Sequence, residues 1–335
     1  MQIRIKRDDM SATIAKYFLR SKHPLIITGA GISTDSHIPD YRGKKGAYVT
    51  NPAFKPITAQ HFMAKHQHRQ RYWLRSYLGW NTINNAIPND SHFNVTRLEY
   101  LGANIITQNV DALHSKAGSN ALELHGTLYK VECQSCKSVI DRNQYQKELA
   151  ALNPELHAFK WQNRVNPDGD AQLELESFDF MQIPQCNNCG GVMKPKVVFF
   201  GENMDIPTRK HADALLNTSD FLLVIGSTLT TYSAFRFLHH LAAQHHFTAS
   251  ISLGNSRGNN MFTLSLNQQP MHTILPNSVK HIMNEKQKYL FKKVIQISYH
   301  LIWHLIYILL FYFQLCLQHY PLFLSLVVLF HWLCL

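Results

Sequence analysis

Short apolar runs punctuate this chain: Pro24–Thr28 (PLIIT), Ala103–Gln108 (ANIITQ), Lys196–Phe200 (KVVFF), Asp220–Ser227 (DFLLVIGS) and Thr248–Gly254 (TASISLG). None alternates strictly between apolar and polar residues, and each is too short for a buried helix, so each reads as a buried strand. Helical spacing lies between several of them. That alternation predicts an α/β fold, with a parallel sheet covered by helices on both faces. Before the first run, Ser11 is the expected N-cap of a helix that carries Ile14, Tyr17 and Phe18 on one face. The rhythm breaks between about Cys133 and Cys189, where the chain turns polar and carries Asn166–Asp170 (NPDGD). This stretch reads as a small insert.

The C-terminus departs in another way. From Val294 to Leu335 there is no Asp, Glu, Lys or Arg, and Pro321 separates two apolar runs, Leu301–Leu317 and Leu322–Leu335. The first is 17 residues long, the lower limit for a membrane span. Lys286, Lys288, Lys292 and Lys293 precede it, which would place the folded part on the cytoplasmic side. Three readings stay open: a membrane hairpin or anchor, an amphipathic partner-binding segment, or an appended sequence without a role, such as out-of-frame translation. The abrupt compositional change favours the last.

Composition adds a few constraints. At 335 residues the chain can bury one large core or two smaller ones. A formal charge of +11 suits phosphates, nucleic acid or anionic membrane, although a solvated basic surface is its ordinary explanation. The N-terminus has no long apolar segment of the secretory type, and a helix from Ser11 leaves little room for a transit peptide, so a cytoplasmic location is expected. Six cysteines are present, and four form two Cys-x-x-Cys pairs, Cys133 with Cys136 and Cys186 with Cys189, separated by 49 residues. Four thiolates at this spacing suit a tetrahedral zinc with no open position, hence a structural one.

Three further stretches carry candidate chemistry. Gly29–Thr34 (GAGIST) follows a strand, and its glycines would let backbone amides approach a pyrophosphate. Thr34 stands where a full dinucleotide fingerprint has its third glycine, so an ordinary tight turn explains the stretch equally well. Gln108–Asp111 (QNVD) ends a strand, where a parallel sheet places its ligand. It suits a ribose or a carboxamide, or simply an Asn/Asp turn capping the next helix. His125, in Glu123–Gly126 (ELHG), is one of 20 histidines. Its imidazole suits a general base on a sugar hydroxyl, but alone it has no claim over the other nineteen.

Taken in order, Gly29–Gly43, Thr107–Gly118, Glu123–Gly126, the two cysteine pairs, Cys189–Glu202, Gly226–Leu229 and Ser252–Arg257 resemble the sirtuins, the NAD-dependent protein-lysine deacylases. Arg69–Trp80, Tyr41, Asn166–Asp170 and Thr230–Phe237 resemble the class II group, which contains the lipoamidase-type sirtuin and bacterial relatives. The likeness covers residues 10–283 and leaves 284–335 outside. It implies a Rossmann-like, doubly wound large domain with a small zinc domain, about 126–195, inserted in it.

By position, Gly29, Ala30, Gly31, Ile32 and Ser33 would hold the NAD pyrophosphate side, and Asp40, Tyr41 and Arg42 would form the cofactor loop. Gln108, Asn109, Val110 and Asp111 would surround the nicotinamide and its ribose. Gly226, Ser227, Thr228, Ser252, Leu253, Gly254 and Met271 would line the adenosine half. Val198, Phe199, Phe200, Gly201 and Glu202 would pair with an acyl-lysine peptide as a strand. His125 would be the base toward a ribose hydroxyl, with free lysine, nicotinamide and acyl-ADP-ribose as products and the zinc taking no part. Tyr72 and Arg75 form a Tyr-x-x-Arg pair, similar to one used for acidic acyl groups, or else a helix-face pair that supports a loop. His37 and Ser252 depart from the family, which has Gly and Asn there. Two other functions compete: protein mono-ADP-ribosyl transfer from the same NAD site, and a zinc-bearing nucleic-acid module. No recognition helix or aromatic-basic interleaving supports the latter, so no nucleic-acid partner is expected.

Overall fold

The computed structural model describes residues 7–52, 54–173, 175–269 and 271–319. Two compact units divide the chain, residues 1–280 and 281–335. The first contains a six-stranded sheet and a three-stranded one.

The large sheet is built from β1 (Pro24–Thr28), β2 (Asn104–Thr107) and β3 (Leu122–Glu123). The chain then leaves for the small sheet, β4 (Gly126–Cys133), β5 (Val139–Asp141) and β6 (Met193–Val197). It returns as β7 (Phe221–Ile225), β8 (Phe247–Ile251) and β9 (Leu264–Leu266). Spatial order is β3-β2-β1-β7-β8-β9, and every pairing is parallel. The order reverses between β1 and β7. That is the topological switch point, whose crevice beyond the strand ends is where such sheets take ligands.

Burial explains why these runs are apolar throughout. All five residues of β1, β7 and β8 are buried, because helices cover both faces. Leu25, Ile27, Leu222 and Val224 face α8 (Ile206–Thr218) and α9 (Tyr232–Ala243), packing on Leu216, Phe237 and Leu241. On the other side, Phe18 of α1 (Arg7–Arg20) meets Phe221 edge-on at 5.8 Å, and Tyr17 stacks on Phe247 at 4.0 Å. Each fully buried Leu or Ile contributes roughly 2 kcal/mol.

The remaining helices are α2 (Ala47–Thr50), α3 (Ala59–Ala64), α4 (His66–Asn85), α5 (Asp90–Tyr100), α6 (Leu113–Lys116), α7 (Arg142–Leu152) and α10 (Met271–His319). A second core joins α3, α4 and α7 to the small sheet through Phe62, Trp73, Tyr145, Leu149, Val131 and Met193. The indole of Trp73 donates to the Met193 carbonyl at 3.2 Å. The small sheet and the cysteine pairs therefore rest on a helix that precedes them by some 60 residues in sequence, which no local pattern announces.

Two expectations need correction. Helix α1 begins at Arg7, so Ser11 is not its N-cap. Ser11 is buried inside the helix, and its hydroxyl donates to the Ile274 carbonyl at 3.3 Å, a tertiary partner that outcompetes local capping. The Lys196–Phe200 run is not a strand of the large sheet. Its first two residues end β6, which pairs antiparallel with β4. Of this run only Phe199 is buried, packed in the core of the small sheet and its helices, so the run's apolar character does not come from a place inside the large sheet.

His37 has φ 64°, the left-handed region. A side chain there is strained by about 1 kcal/mol relative to Gly. This gives a physical reason for the glycine found there in the sirtuin pattern. His37→Gly is expected to raise the melting temperature by about 2 °C, read by calorimetry; an unchanged or lower value would contradict this account of the position.

In α10, Ile274, Leu275 and Val279 are buried. Within residues 281–310 the apolar side chains from Tyr289 to Leu310 are exposed. Residues 271–310 form a helix long and apolar enough to cross a membrane. The second apolar run of the tail, Leu322–Leu335, lies outside the described residues.

Candidate functional site

The site is assembled at the switch point. Beyond β1, the Gly29 amide donates to Ile225 O at 3.0 Å and the Gly31 amide to Gly226 O at 2.8 Å, so two loops cross in contact. A Cβ on Gly29 would lie 2.7 Å from Ser227 Cβ, and one on Gly31 would lie 2.8 Å from Gly226 O. Neither position has room for a side chain. The glycines are needed for this crossing, and a short 3-10 turn (Ala30–Ser36) follows. Ala30 and Gly31 are half-buried there, and Ile32 and Ser33 are buried beneath.

Strand β2 delivers Gln108, Asn109, Val110 and Asp111 to the same crevice. Ser33 Oγ donates to Asp111 Oδ2 at 2.7 Å, and the Asn109 side-chain amide donates to Ser33 Oγ at 3.0 Å and Gly29 O at 3.3 Å. The Leu113 amide donates to Asp111 Oδ1 at 3.0 Å. Burial nevertheless holds the Asp111 carboxyl above its ordinary range. Val110 O takes the Leu128 amide at 3.0 Å, which ties the crevice to β4. Gln108 is spent on the protein: its Nε2 donates to Ser227 Oγ at 2.7 Å, and Thr231 Oγ1 donates to its Oε1 at 3.3 Å.

His125 follows β3 and is half-buried. Its Nδ1 lies 3.0 Å from Gln108 O. A carbonyl only accepts, so Nδ1 carries the proton and Nε2 keeps its lone pair. Nε2 lies 2.9 Å from Ser233 Oγ, at the start of α9. Burial lowers the basicity of His125 and the Gln108 carbonyl partly restores it, so the ring is neutral near pH 7. The result is an imidazole with a fixed tautomer, held between Gln108 O and Ser233 Oγ.

Glu123, two residues earlier, is pushed up to about 7, first by burial and then by the Asp111 carboxylate. Its folded-state value lies above the ordinary 4.5, so the folded protein holds this proton more tightly than the unfolded chain. Its contribution to stability is present at acidic pH and is lost as pH rises from about 4.5 to about 7. Glu123→Gln is expected to flatten the fall of the melting temperature between pH 5 and 8; a slope identical to wild type would contradict this.

The other expected positions fall around this centre. Asp40 Oδ1 accepts the Gly43 amide at 2.8 Å, and the Arg42 guanidinium lies over the Tyr48 ring at 4.9 Å. The Tyr41 phenol is held well above its usual range, by burial and then by Asp168. Among the residues expected to line an adenosine half, Ser227 and Ser252 are buried, Thr228 Oγ1 meets Thr230 Oγ1 at 2.9 Å, and Ser252 Oγ donates to Gly254 O at 3.2 Å. Leu253 is 73% exposed, and Met271 opens α10.

In the segment expected to meet the peptide, the Val198 amide donates to His125 O at 2.9 Å. Glu202 Oε2 takes the Phe199 amide at 2.9 Å and pairs with Lys194 at 2.8 Å; Phe200 O takes the Ala59 amide at 3.1 Å; and Gly201 turns with φ 80°. Tyr72 is buried edge-on against Phe62 and Phe199. Arg75 supports a loop: its Nε donates to Ala171 O, its carbonyl takes the Ala171 amide, both at 2.9 Å, and its charge acts on Asp168 and Asp170. Thr231 and Ser233 also reach these residues, by hydrogen bonds to Gln108 and His125, and neither was among the expected site positions. Their signal was available: they begin the helix that follows β7, at the carboxyl edge of the sheet.

The four cysteine sulfurs lie within 4.8 Å of one another, with Cys133 and Cys189 3.5 Å apart and Cys136 and Cys186 3.7 Å apart. These separations are far too long for disulfides. They match the roughly 3.8 Å edge of a tetrahedron with zinc–sulfur bonds of about 2.3 Å. Cys133 and Cys186 are buried, Cys136 and Cys189 exposed. The donor set fits a structural zinc.

An open parallel sheet with a glycine crossing at its switch point, a clamped histidine beside it and a four-thiolate module defines a dinucleotide-binding α/β protein with a structural metal. The Sir2 family profile matches residues 29–233. An NAD-dependent protein deacylase SIR4 of Batrachochytrium dendrobatidis is 39% identical over 278 residues, covering 77% of this chain and 90% of that protein. An NAD-dependent protein deacetylase of Xanthomonas axonopodis pv. citri is 40% identical, covering 76% and 87%. Among solved structures, one described as a Sir2 enzyme in a study of mechanism and regulation superposes with a TM-score of 0.64 at 25% identity, covering 83% of this chain and 99% of that one. Another, a Sir2–p53 peptide–NAD+ complex, gives 0.60 at 25% identity, covering 82% and 98%. The chain belongs to the Sir2 family.

Proposed function

We propose that this chain is an NAD-dependent protein-lysine deacylase of the class II, lipoamidase-like type, with His125 as its general base. The observation that carries the reading is the clamped neutral imidazole, with Nδ1 on Gln108 O and the Nε2 lone pair turned toward Ser233 Oγ. Bound NAD supplies the nicotinamide leaving group and the ADP-ribose that accepts the acyl group. Gly29, Gly31 and Gly226 let the two loops cross in contact, and the NAD phosphates would lie at this crossing, beside the start of the Ala30–Ser36 turn. Asn109, Ser33 and Asp111 form a buried polar wall for the nicotinamide half. His125 accepts a proton at Nε2 from a ribose hydroxyl, and the Gln108 carbonyl steadies the resulting imidazolium through Nδ1.

The Val198–Glu202 segment, tied to His125 through the Val198 amide, is where an acyl-lysine peptide would lie. Arg75 is already engaged with Ala171, which favours an uncharged acyl chain over an acidic one. The test is nicotinamide release from NAD with acetyl-, lipoyl- and succinyl-lysine peptides. Release that depends on peptide, fastest with an uncharged acyl group, is expected. Peptide-independent release would refute the deacylase reading, and preference for succinyl would refute the specificity.

A further inference from the structure

We propose that Ser233 is a positioning residue for the catalytic base, holding the His125 ring from the side opposite Gln108 and accepting its proton-bearing Nε2 once the base is charged. The inference rests on the assignment of His125 as base.

The geometry is two-sided. Gln108 O lies 3.0 Å from Nδ1 and Ser233 Oγ lies 2.9 Å from Nε2, so both ring nitrogens are engaged and the imidazole cannot flip without losing both bonds. A serine hydroxyl donates or accepts by rotating about one bond. While His125 is neutral, Ser233 donates to the Nε2 lone pair. A ribose hydroxyl entering the crevice must take over that role for its proton to reach Nε2. Once the proton has moved, Nε2 is a donor, and Ser233 Oγ has lone pairs to accept it. The hydroxyl thus serves the base in both charge states, donating to Nε2 before the ribose hydroxyl enters and accepting from it after the ribose oxygen has left.

The support of Ser233 is rigid. It sits in the first turn of α9, Arg236 Nε donates to Ser233 O at 3.2 Å, and Arg236 is in turn ion-paired with Asp213. Thr231, two residues earlier, donates to Gln108 Oε1 at 3.3 Å, so the start of α9 grips both His125 and the residue whose carbonyl orients it. For a half-buried imidazolium, a lost acceptor on Nε2 is unfavourable, because a donor taken from water and left unsatisfied retains its desolvation cost.

The test compares Ser233→Ala with Ser233→Thr in the full chain, using acyl-peptide turnover, KM for NAD and thermal melting. Ser233→Ala is expected to lower kcat about tenfold, with KM for NAD within about twofold of wild type and an unchanged melting temperature. Ser233→Thr keeps the hydroxyl and is expected to restore most of kcat. Wild-type kcat in Ser233→Ala, or a loss that threonine does not restore, would overturn the proposal. His125→Ala is the control. If it stays active, the base assignment itself falls and this inference with it. If it is inactive while Ser233→Ala turns over normally, only the role of Ser233 falls.

Discussion

Replacing His125 with alanine is expected to cut formation of deacylated peptide at least about a hundredfold while leaving the protein folded, because a positioned general base contributes roughly 10²–10⁴ in rate. The ring makes two hydrogen bonds, to Gln108 O and Ser233 Oγ. Their loss costs stability of only about 1–3 kcal/mol, which a domain with β1, β7 and β8 fully buried tolerates. A folded His125→Ala protein with wild-type turnover would remove His125 from the chemistry. The size of the effect follows from the fixed tautomer. A histidine free to rotate would present the wrong nitrogen much of the time, whereas here the Gln108 carbonyl holds Nε2 as the acceptor.

The second large effect concerns the thiolate tetrad. Folded protein is expected to hold about one zinc per chain, and a Cys133→Ser/Cys186→Ser double variant to lose it, together with several kcal/mol of stability. Cys133 and Cys186 belong to the same core as Trp73, Tyr145 and Met193. Loss of the metal would therefore reach β6, and through it Val198, whose amide holds His125 O. Activity is expected to fall although the zinc touches no reacting atom. Metal analysis, melting temperature and turnover measured on one preparation decide this. A metal-free protein with wild-type melting and turnover would contradict it.

Much of this was legible in the residues. Leu25 to Ile27, Leu222 to Ile225 and Ala249 to Ile251 announced buried strands because burial on both faces removes alternation. Two matching Cys-x-x-Cys pairs announced a tetrad because thiolate spacing reflects metal geometry directly. Gly29 and Gly31 were legible as a turn, but their reason, a crossing against Gly226, is a contact between residues almost 200 positions apart. Ser233 was not legible as a partner of His125, since a hydroxyl two residues into a helix has many ordinary uses and the two are 108 positions apart. Lys196–Phe200 misled because an apolar run does not say which sheet it joins: only Phe199 in it is buried, and its first residues pair with β4 of the small sheet. Ser11 misled for the converse reason: the capping pattern was local, and the carbonyl that claimed its hydroxyl lies 263 positions away.

The fate of the ADP-ribose moiety tests the account most directly. Incubating the full chain with NAD labelled in its ADP-ribose half and an acyl-lysine peptide is expected to place the label in free acyl-ADP-ribose, one for each lysine uncovered, and to leave protein and peptide unlabelled. Label retained covalently on protein or peptide, with the acyl-lysine intact, would contradict deacylation and make the same crevice that of an ADP-ribosyltransferase.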